Sequence, residues 1–278
     1  MIDLHTHTNE SDGTRAPSEL IQVAKQAGLQ SLAITDHDTF AGYLQAREAA
    51  SQQGIDLVRG IEVSTKHGKK SIHILGYFFR NDPPDSFLTW LESLVAEREE
   101  RNSLLSNQLR TLGVDVTLEE ARALGRTVTG RVHFARVMVQ KRYVRSIQEA
   151  FDQYLADNAP AYVEANDPPS AIAVEKLRSA GAFPVVAHLG RYGMAPEKEE
   201  DFLFQLRNAG LGGIEVIHTD HAAEDVTRYA TLAAKYGLLP SGGSDYHGEA
   251  KPGVRLGFGD FGKIPIPPQW LARMREAN

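Results

Sequence analysis

The sequence predicts an α/β fold whose strands pair in parallel around a closed or nearly closed sheet, broken once by a helical segment. Two observations carry this. Short apolar runs alternate with helix-like stretches over most of the chain. The later runs, at 183–187, 213–217 and 238–242, each follow a helix-like segment closed by glycine: Gly181, Gly210 and Gly237. Taken in order, residues 1–4 read as a first strand, a turn follows at Ser11-Asp12-Gly13, and a helix spans 17–27. Pro17 suits a first helical turn, where a missing N–H loses no intrahelical bond, and Gly28 stops the helix. Residues 31–35 form a second strand, 41–53 a second helix, 57–64 a third strand and 70–79 a fourth. Gly68 makes the connection between the last two a hairpin. From 86 to 162 no β-like run occurs. That stretch opens with a long charged helix around 90–112, whose Glu97, Arg98, Glu99, Glu100 and Arg101 read as a solvated face. Residues 86–162 are therefore expected to be a helical insertion, with 1–85 and 163–278 forming the barrel and Pro168-Pro169 marking the return.

Composition narrows the chemistry. The 278 residues carry 30 Lys plus Arg against 36 Asp plus Glu, a net charge of −6, with 42% hydrophobic residues. That balance counts against coating duplex DNA with a broad basic face. The absence of cysteine excludes a thiol nucleophile, a disulfide scaffold, an iron–sulfur cluster and any thiolate zinc site. No apolar window approaches the length of a membrane span, and Met1-Ile2-Asp3-Leu4-His5 lacks a basic segment before an apolar core. A cytoplasmic protein with no membrane partner is the expectation.

The ten histidines carry the functional signal. Side chains alternate along a strand, so His5 and His7 project from one face at the end of the first strand, with Asp12 five residues on. Asp36-His37-Asp38 ends the second strand. Glu62 sits inside the apolar run Gly60-Ile61-Glu62-Val63, where an unpaired carboxylate would be costly without a cation or donor. His73 is likewise a lone polar residue among apolar neighbours. Val186-Ala187-His188 and Asp245-Tyr246-His247 complete the set, the last two acidic and imidazole groups again at i, i+2. Any one of these is tolerable as a satisfied core or surface residue. Together they point to a polynuclear metal site at the end of the barrel where parallel α/β barrels place their chemistry.

These motifs resemble the PHP (polymerase and histidinol phosphatase) family. Gly130-Arg131-Val132-His133-Phe134-Ala135-Arg136, within the insertion, is similar to its stand-alone bacterial branch of nucleoside 3′,5′-bisphosphate phosphatases and 5′→3′ exoribonucleases. In that branch the positions of Val132 and Leu189 are often proline. The resemblance implies a distorted (β/α)7 barrel holding two to three divalent ions, manganese first, with zinc or iron as alternatives. His5, His7, Glu62 and Asp245 would hold one ion. Glu62 would bridge to a second completed by His73 and His188, and Asp12, His37 and His247 would hold a third. About six positive charges against about three negative ones would draw a phosphate in. A bridging water held by Glu62 would attack phosphorus as hydroxide, with no covalent enzyme intermediate.

His218 is a candidate for protonating the leaving group. Arg131, His133 and Arg136 are spaced so that two or three share a helix face, and Arg191 follows His188 on a loop. These four are the expected substrate contacts, suited to a nucleotide with two phosphates. The expected activity is removal of the 3′-phosphate from a nucleoside 3′,5′-bisphosphate. The alternatives are exonucleolytic trimming of short RNA or DNA oligonucleotides and a non-catalytic metal-binding module. Nothing in the sequence supports sequence-specific binding to duplex DNA.

Overall fold

The computed structural model describes residues 1–278. Seven strands lie in one sheet in chain order. β1 (Ile2–Asp3), β2 (Ser31–Ile34) and β3 (Asp56–His67) pair in parallel, with α1 (Pro17–Gln26) and α2 (Ala41–Gln53) as crossovers. β4 (Lys70–Phe78) then runs antiparallel to both β3 and β5 (Phe183–Val186). β5, β6 (Gly213–Ile217) and β7 (Leu239–Gly242) are parallel again, connected through α8 (Pro196–Asn208) and α9 (Ala223–Tyr236). The seam between the two ends is held by backbone bonds, Leu4 N–H to Gly242 O at 3.2 Å and His7 N–H to Tyr246 O at 2.9 Å. The result is a distorted, nearly closed seven-stranded barrel. No helix is long and apolar enough to cross a membrane.

The reversed β4 is the hairpin expected at Gly68, and it interrupts the otherwise parallel sheet. Only Gly68 and Lys69 separate β3 from β4, and so short a link permits only opposite strand directions. Gly68 takes φ +60°, which suits glycine. The reversal matters for the site. Ser64 pairs with His73 and Glu62 with Leu75, so a residue near the start of β4 reaches the same rim as residues at the ends of the parallel strands.

Helices cover the outside of the barrel. α1 lays Leu20, Ile21 and Ala24 against Leu32 and Ile34, and α7 (Ser170–Ser179) sets Leu177 over Gly76, where a Cβ would lie 2.4 Å from Leu177 Cδ2. Between β4 and α7 stand α3 (Asp85–Thr111), α4 (Leu118–Leu124), α5 (Arg131–Gln140), α6 (Ile147–Ala150) and a π-helical turn, Phe151–Leu155. α3 begins before the expected start and ties two cores together. Phe87 and Leu91 join the barrel core, whereas Leu105 and Leu109 pack with Phe134, Met138 and Leu155 in a separate one. Each such side chain contributes about 1.5–3 kcal/mol on burial. The solvated charged face expected on α3 is corrected in part. Glu97 and Glu100 are exposed, but Arg98 is half-buried and Arg101 is buried, because both turn toward the barrel mouth.

The barrel seam leaves no room at Gly243, where a Cβ would sit 2.1 Å from His5 Cβ and 2.5 Å from His5 N. Gly243→Ala is therefore expected to lower the unfolding free energy by about 1–3 kcal/mol in a denaturant titration. A variant as stable as the parent would show that the seam has slack.

Candidate metal centre

Nine side chains from six segments meet at the barrel mouth, in four overlapping groups whose donor atoms lie within 4.8 Å of one another. Glu62 is at their middle, fully buried on β3 between Ile61 and Val63. Its Oε2 lies 3.2 Å from His5 Nε2, 3.0 Å from His7 Nε2 and 3.4 Å from His37 Nδ1. Its Oε1 faces the other way, 2.8 Å from His73 Nδ1 and 3.0 Å from His188 Nε2. Asp12 Oδ1 is 3.1 Å from His247 Nε2, and its Oδ2 is 3.6 Å from His37 Nε2. Asp245 Oδ1 lies 3.3 Å from His7 Nε2 and 3.5 Å from His5 Nε2. Three backbones at this rim enter the left-handed region: Asp38 at φ 54°, His188 at φ 28° and Asp245 at φ 56°. Such strain persists where the surroundings fix a functional geometry.

The donor set fits divalent cations. His5 Nε2, His7 Nε2, His37 Nδ1, His73 Nδ1 and Glu62 Oε2 are buried without a hydrogen-bond partner, although buried polar atoms are ordinarily paired. They converge as mixed nitrogen and oxygen ligands, the chemistry that suits manganese, iron or zinc. The site's own charges already oppose burial. Desolvation would raise Glu62, yet His5, His73 and His37 hold it well below the usual carboxylate range. Desolvation would lower His7, yet Asp245, Glu62 and Asp12 push it up to about 10. For His188 burial wins and its pKa falls well below the ordinary value.

Behind this layer stand three buried carboxylates to which the sequence reading gave no role of their own. Glu215, fully buried on β6, faces His5 Nδ1 from Oε1 at 2.9 Å and accepts the His188 N–H on Oε2 at 2.7 Å. It holds the ring of one clustered histidine and the backbone of another. The signal was present: Glu215 is a lone carboxylate in an apolar strand, as Glu62 is. Asp36 accepts from Thr8 N–H, Thr8 Oγ1 and Ser11 Oγ, which braces the loop carrying Asp12. Asp3 is buried as well and accepts three backbone N–H groups, from His5, Ser244 and Gly257.

Five residues were expected to protonate the leaving group or contact the substrate, and the fold places them differently. His218 is buried and off the cavity wall. Its Nδ1 accepts the Asp220 N–H at 3.0 Å, leaving Nε2 3.3 Å from Asp245 Oδ2, so its free nitrogen faces a clustered carboxylate. His133 turns inward at the start of α5, where its Nδ1 accepts the Gly130 N–H at 2.9 Å, and Arg136 is also absent from the cavity wall. Helical rotation sends these two away from the side that Arg131 occupies. Arg131 does line the cavity, as does Arg191, which lies 3.2 Å from Asp245 Oδ2. Above the nine residues the cavity measures about 680 Å³, walled on the insertion side by Arg98, Arg101, Arg131, Phe151 and Tyr162.

The PHP domain family matches residues 3–168. The chain belongs to the PHP family. This PHP protein is 34% identical over 259 residues to the 3′,5′-nucleoside bisphosphate phosphatase of Chromobacterium violaceum, covering 92% of this chain and 90% of that one. It is 33% identical to a 5′-3′ exoribonuclease of Haemophilus influenzae, covering 88% and 89%. It is 34% identical to the phosphoribosyl 1,2-cyclic phosphate 1,2-diphosphodiesterase of Eggerthella lenta, covering 95% and 96%. A solved structure described as an amidohydrolase from Chromobacterium violaceum, with bound sulfate and no metal, superposes with a TM-score of 0.86 at 32% identity. That match covers 99% of this chain and 96% of that one. The PHP chain is thus an enzyme of phosphoric ester hydrolysis with a site able to hold metals.

Glu215→Ala would leave His5 Nδ1 and the His188 N–H unpaired. Loss of such an orienting partner is expected to weaken metal affinity about 10–100-fold, read by titrating the metal-free protein with manganese. Unchanged affinity would mean that the imidazoles are held without it.

Proposed function

We propose that this PHP enzyme removes the 3′-phosphate from nucleoside 3′,5′-bisphosphates in the cytoplasm. The carrying observation is the shape of the cavity. The insertion closes one side with two aromatic rings and three arginines, and about 680 Å³ is the size of a small-ligand pocket, not of a long groove. A nucleoside has rings to meet Phe151 and Tyr162, and a second phosphate has cations to meet. The bisphosphate phosphatase of Chromobacterium violaceum, matched over nearly the whole chain, supports the same reading.

In this reading His5, His7, Glu62 and Asp245 hold one cation, Glu62, His73 and His188 a second, and Asp12, His37 and His247 a third, with manganese as the ion. When bound, these ions supply positive charge for the phosphoryl oxygens and acidify a water for attack. The chain's own residues do the rest. Glu62 offers one oxygen to each side of the cluster. Glu215 keeps His5 in a fixed orientation, and His218 does the same for Asp245. Lys251 and Arg191 both reach Asp245 Oδ2 and line the cavity, so positive charge flanks the phosphate at the cluster.

Diester hydrolysis is the second reading, favoured by the exoribonuclease of Haemophilus influenzae and the cyclic diphosphodiesterase of Eggerthella lenta. The same cluster would serve it. Phosphate release from adenosine 3′,5′-bisphosphate, AMP and a short 5′-phosphorylated RNA, each with manganese, separates the readings. Fast release from the bisphosphate with AMP left intact is expected; preferential shortening of the RNA would favour the diesterase. Asp245→Ala and His5→Ala are each expected to cut turnover by at least about 100-fold while circular dichroism stays native, and chelation should act likewise and reverse on adding metal. Full activity in either variant, or turnover of none of the substrates by the metal-loaded parent, would overturn the assignment.

A further inference from the structure

The three arginines that the insertion turns toward the cavity are not equivalent. Arg98 pairs with Asp38 Oδ2 and donates to Ser64 Oγ at 2.7 Å. Arg131 donates to Asp157 Oδ1 and to Leu155 O, both at 3.0 Å, with its guanidinium over the rings of Phe151 and Tyr162. Each of these charges has its carboxylate. Arg101 has none in ion-pair contact. It is 8% exposed, its one polar contact is a donation from Nη2 to Asn102 Oδ1 at 3.0 Å, and its Nε has no partner.

A buried guanidinium without a counter-ion is costly, and two positive neighbours make it more so. Burial first, then Arg98 and Arg131, bring the Arg101 pKa down to about 9, with only the fields of Asp167 and Tyr162 opposing them. The fold keeps this charge in place on a helix anchored in two cores, facing a cavity. Such an arrangement is stable once an anion enters. Position narrows which anion. Arg98 and Arg101 are three residues apart on α3 and so share a face, about 4.5 Å apart along the helix axis. Arg98 is tied to Asp38 and Ser64, beside the ligands His37 and Glu62, which leaves Arg101 a turn along α3 from that anchor.

We propose that Arg101 binds the phosphate that is not cleaved, the 5′-phosphate of the nucleotide, and so sets the preference for a substrate with two phosphates. This rests on the phosphatase reading above and names the group that recognises its second phosphate. The planar fork of a guanidinium matches two phosphate oxygens, and its free Nε–H is available for one of them.

Calorimetric titration of the manganese-loaded enzyme with AMP and with adenosine tests this through binding, independent of turnover. The parent is expected to bind AMP at least about 10-fold more tightly than adenosine. Arg101→Met should collapse that preference by about 10–100-fold, Arg101→Lys should restore it in part, and Arg110→Ala, exposed on the same helix, should leave it intact. Removing an unpaired buried charge should also leave the thermal midpoint of Arg101→Met equal to or above that of the parent. A preference retained in Arg101→Met, or one lost together with a lowered midpoint, overturns the proposal. A parent that hydrolyses the bisphosphate but shows no AMP preference overturns the role of Arg101 and spares the phosphatase reading. A parent that binds AMP through Arg101 but hydrolyses no bisphosphate does the reverse.

Discussion

The structure depends on one buried carboxylate. Glu62 lies at the centre of the barrel mouth with no exposure, and both of its oxygens face imidazole nitrogens, three around one and two around the other. An anion in such a place is tolerable only when cations or donors surround it. Strands on both sides of β3 therefore have to deliver nitrogen ligands to it. The continuation of β1 brings His5 and His7, the continuation of β2 brings His37, β4 brings His73, and the segment after β5 brings His188. The carboxylates Asp12 and Asp245 then balance the imidazoles that Glu62 does not reach. Ligand geometry and barrel closure are in this sense one requirement, since the seam that joins Leu4 to Gly242 also sets His5 against Asp245.

A second layer makes that arrangement rigid. Glu215 spans His5 and His188, Asp36 braces the loop before Asp12, and His218 steadies Asp245. Their interactions are short and shielded from water, where electrostatic and hydrogen-bond energies are largest. The insertion works differently. It contributes none of the nine clustered residues and instead supplies a wall of rings and guanidinium groups. In the proposed reading the barrel offers reactivity toward phosphorus, and the insertion offers selection among phosphate esters. Relatives with different named substrates but similar overall length fit that division of labour.

The clustered residues were legible because each breaks a local rule. A carboxylate or imidazole inside an apolar run has no local reason to be there, and His5, His7, Glu62, His73 and His188 all announce themselves in that way. Glu215 breaks the same rule three residues before His218, yet the sequence reading gave it no role. The arginines of α3 were misread for the opposite reason. In sequence Arg98 and Arg101 obey the pattern of an exposed charged helix, and nothing local separates them from Glu97 and Glu100. His133 and Arg136, three residues apart, share a face of α5 as their spacing implies, but that face is not the one that lines the cavity beside Arg131.

The sequence by itself determined the α/β alternation, the helical break in its middle and the identity of the residues that converge, because strand periodicity, turn glycines and misplaced polar groups are local properties. Only the tertiary structure decided that the reversed β4 delivers His73 to the common rim, that Glu62 points one oxygen to each side, and which of the insertion's arginines lacks a counter-ion. Those facts depend on distances between segments far apart in the chain, and such distances are set by barrel closure and by packing of α3 across two cores. No local pattern encodes them.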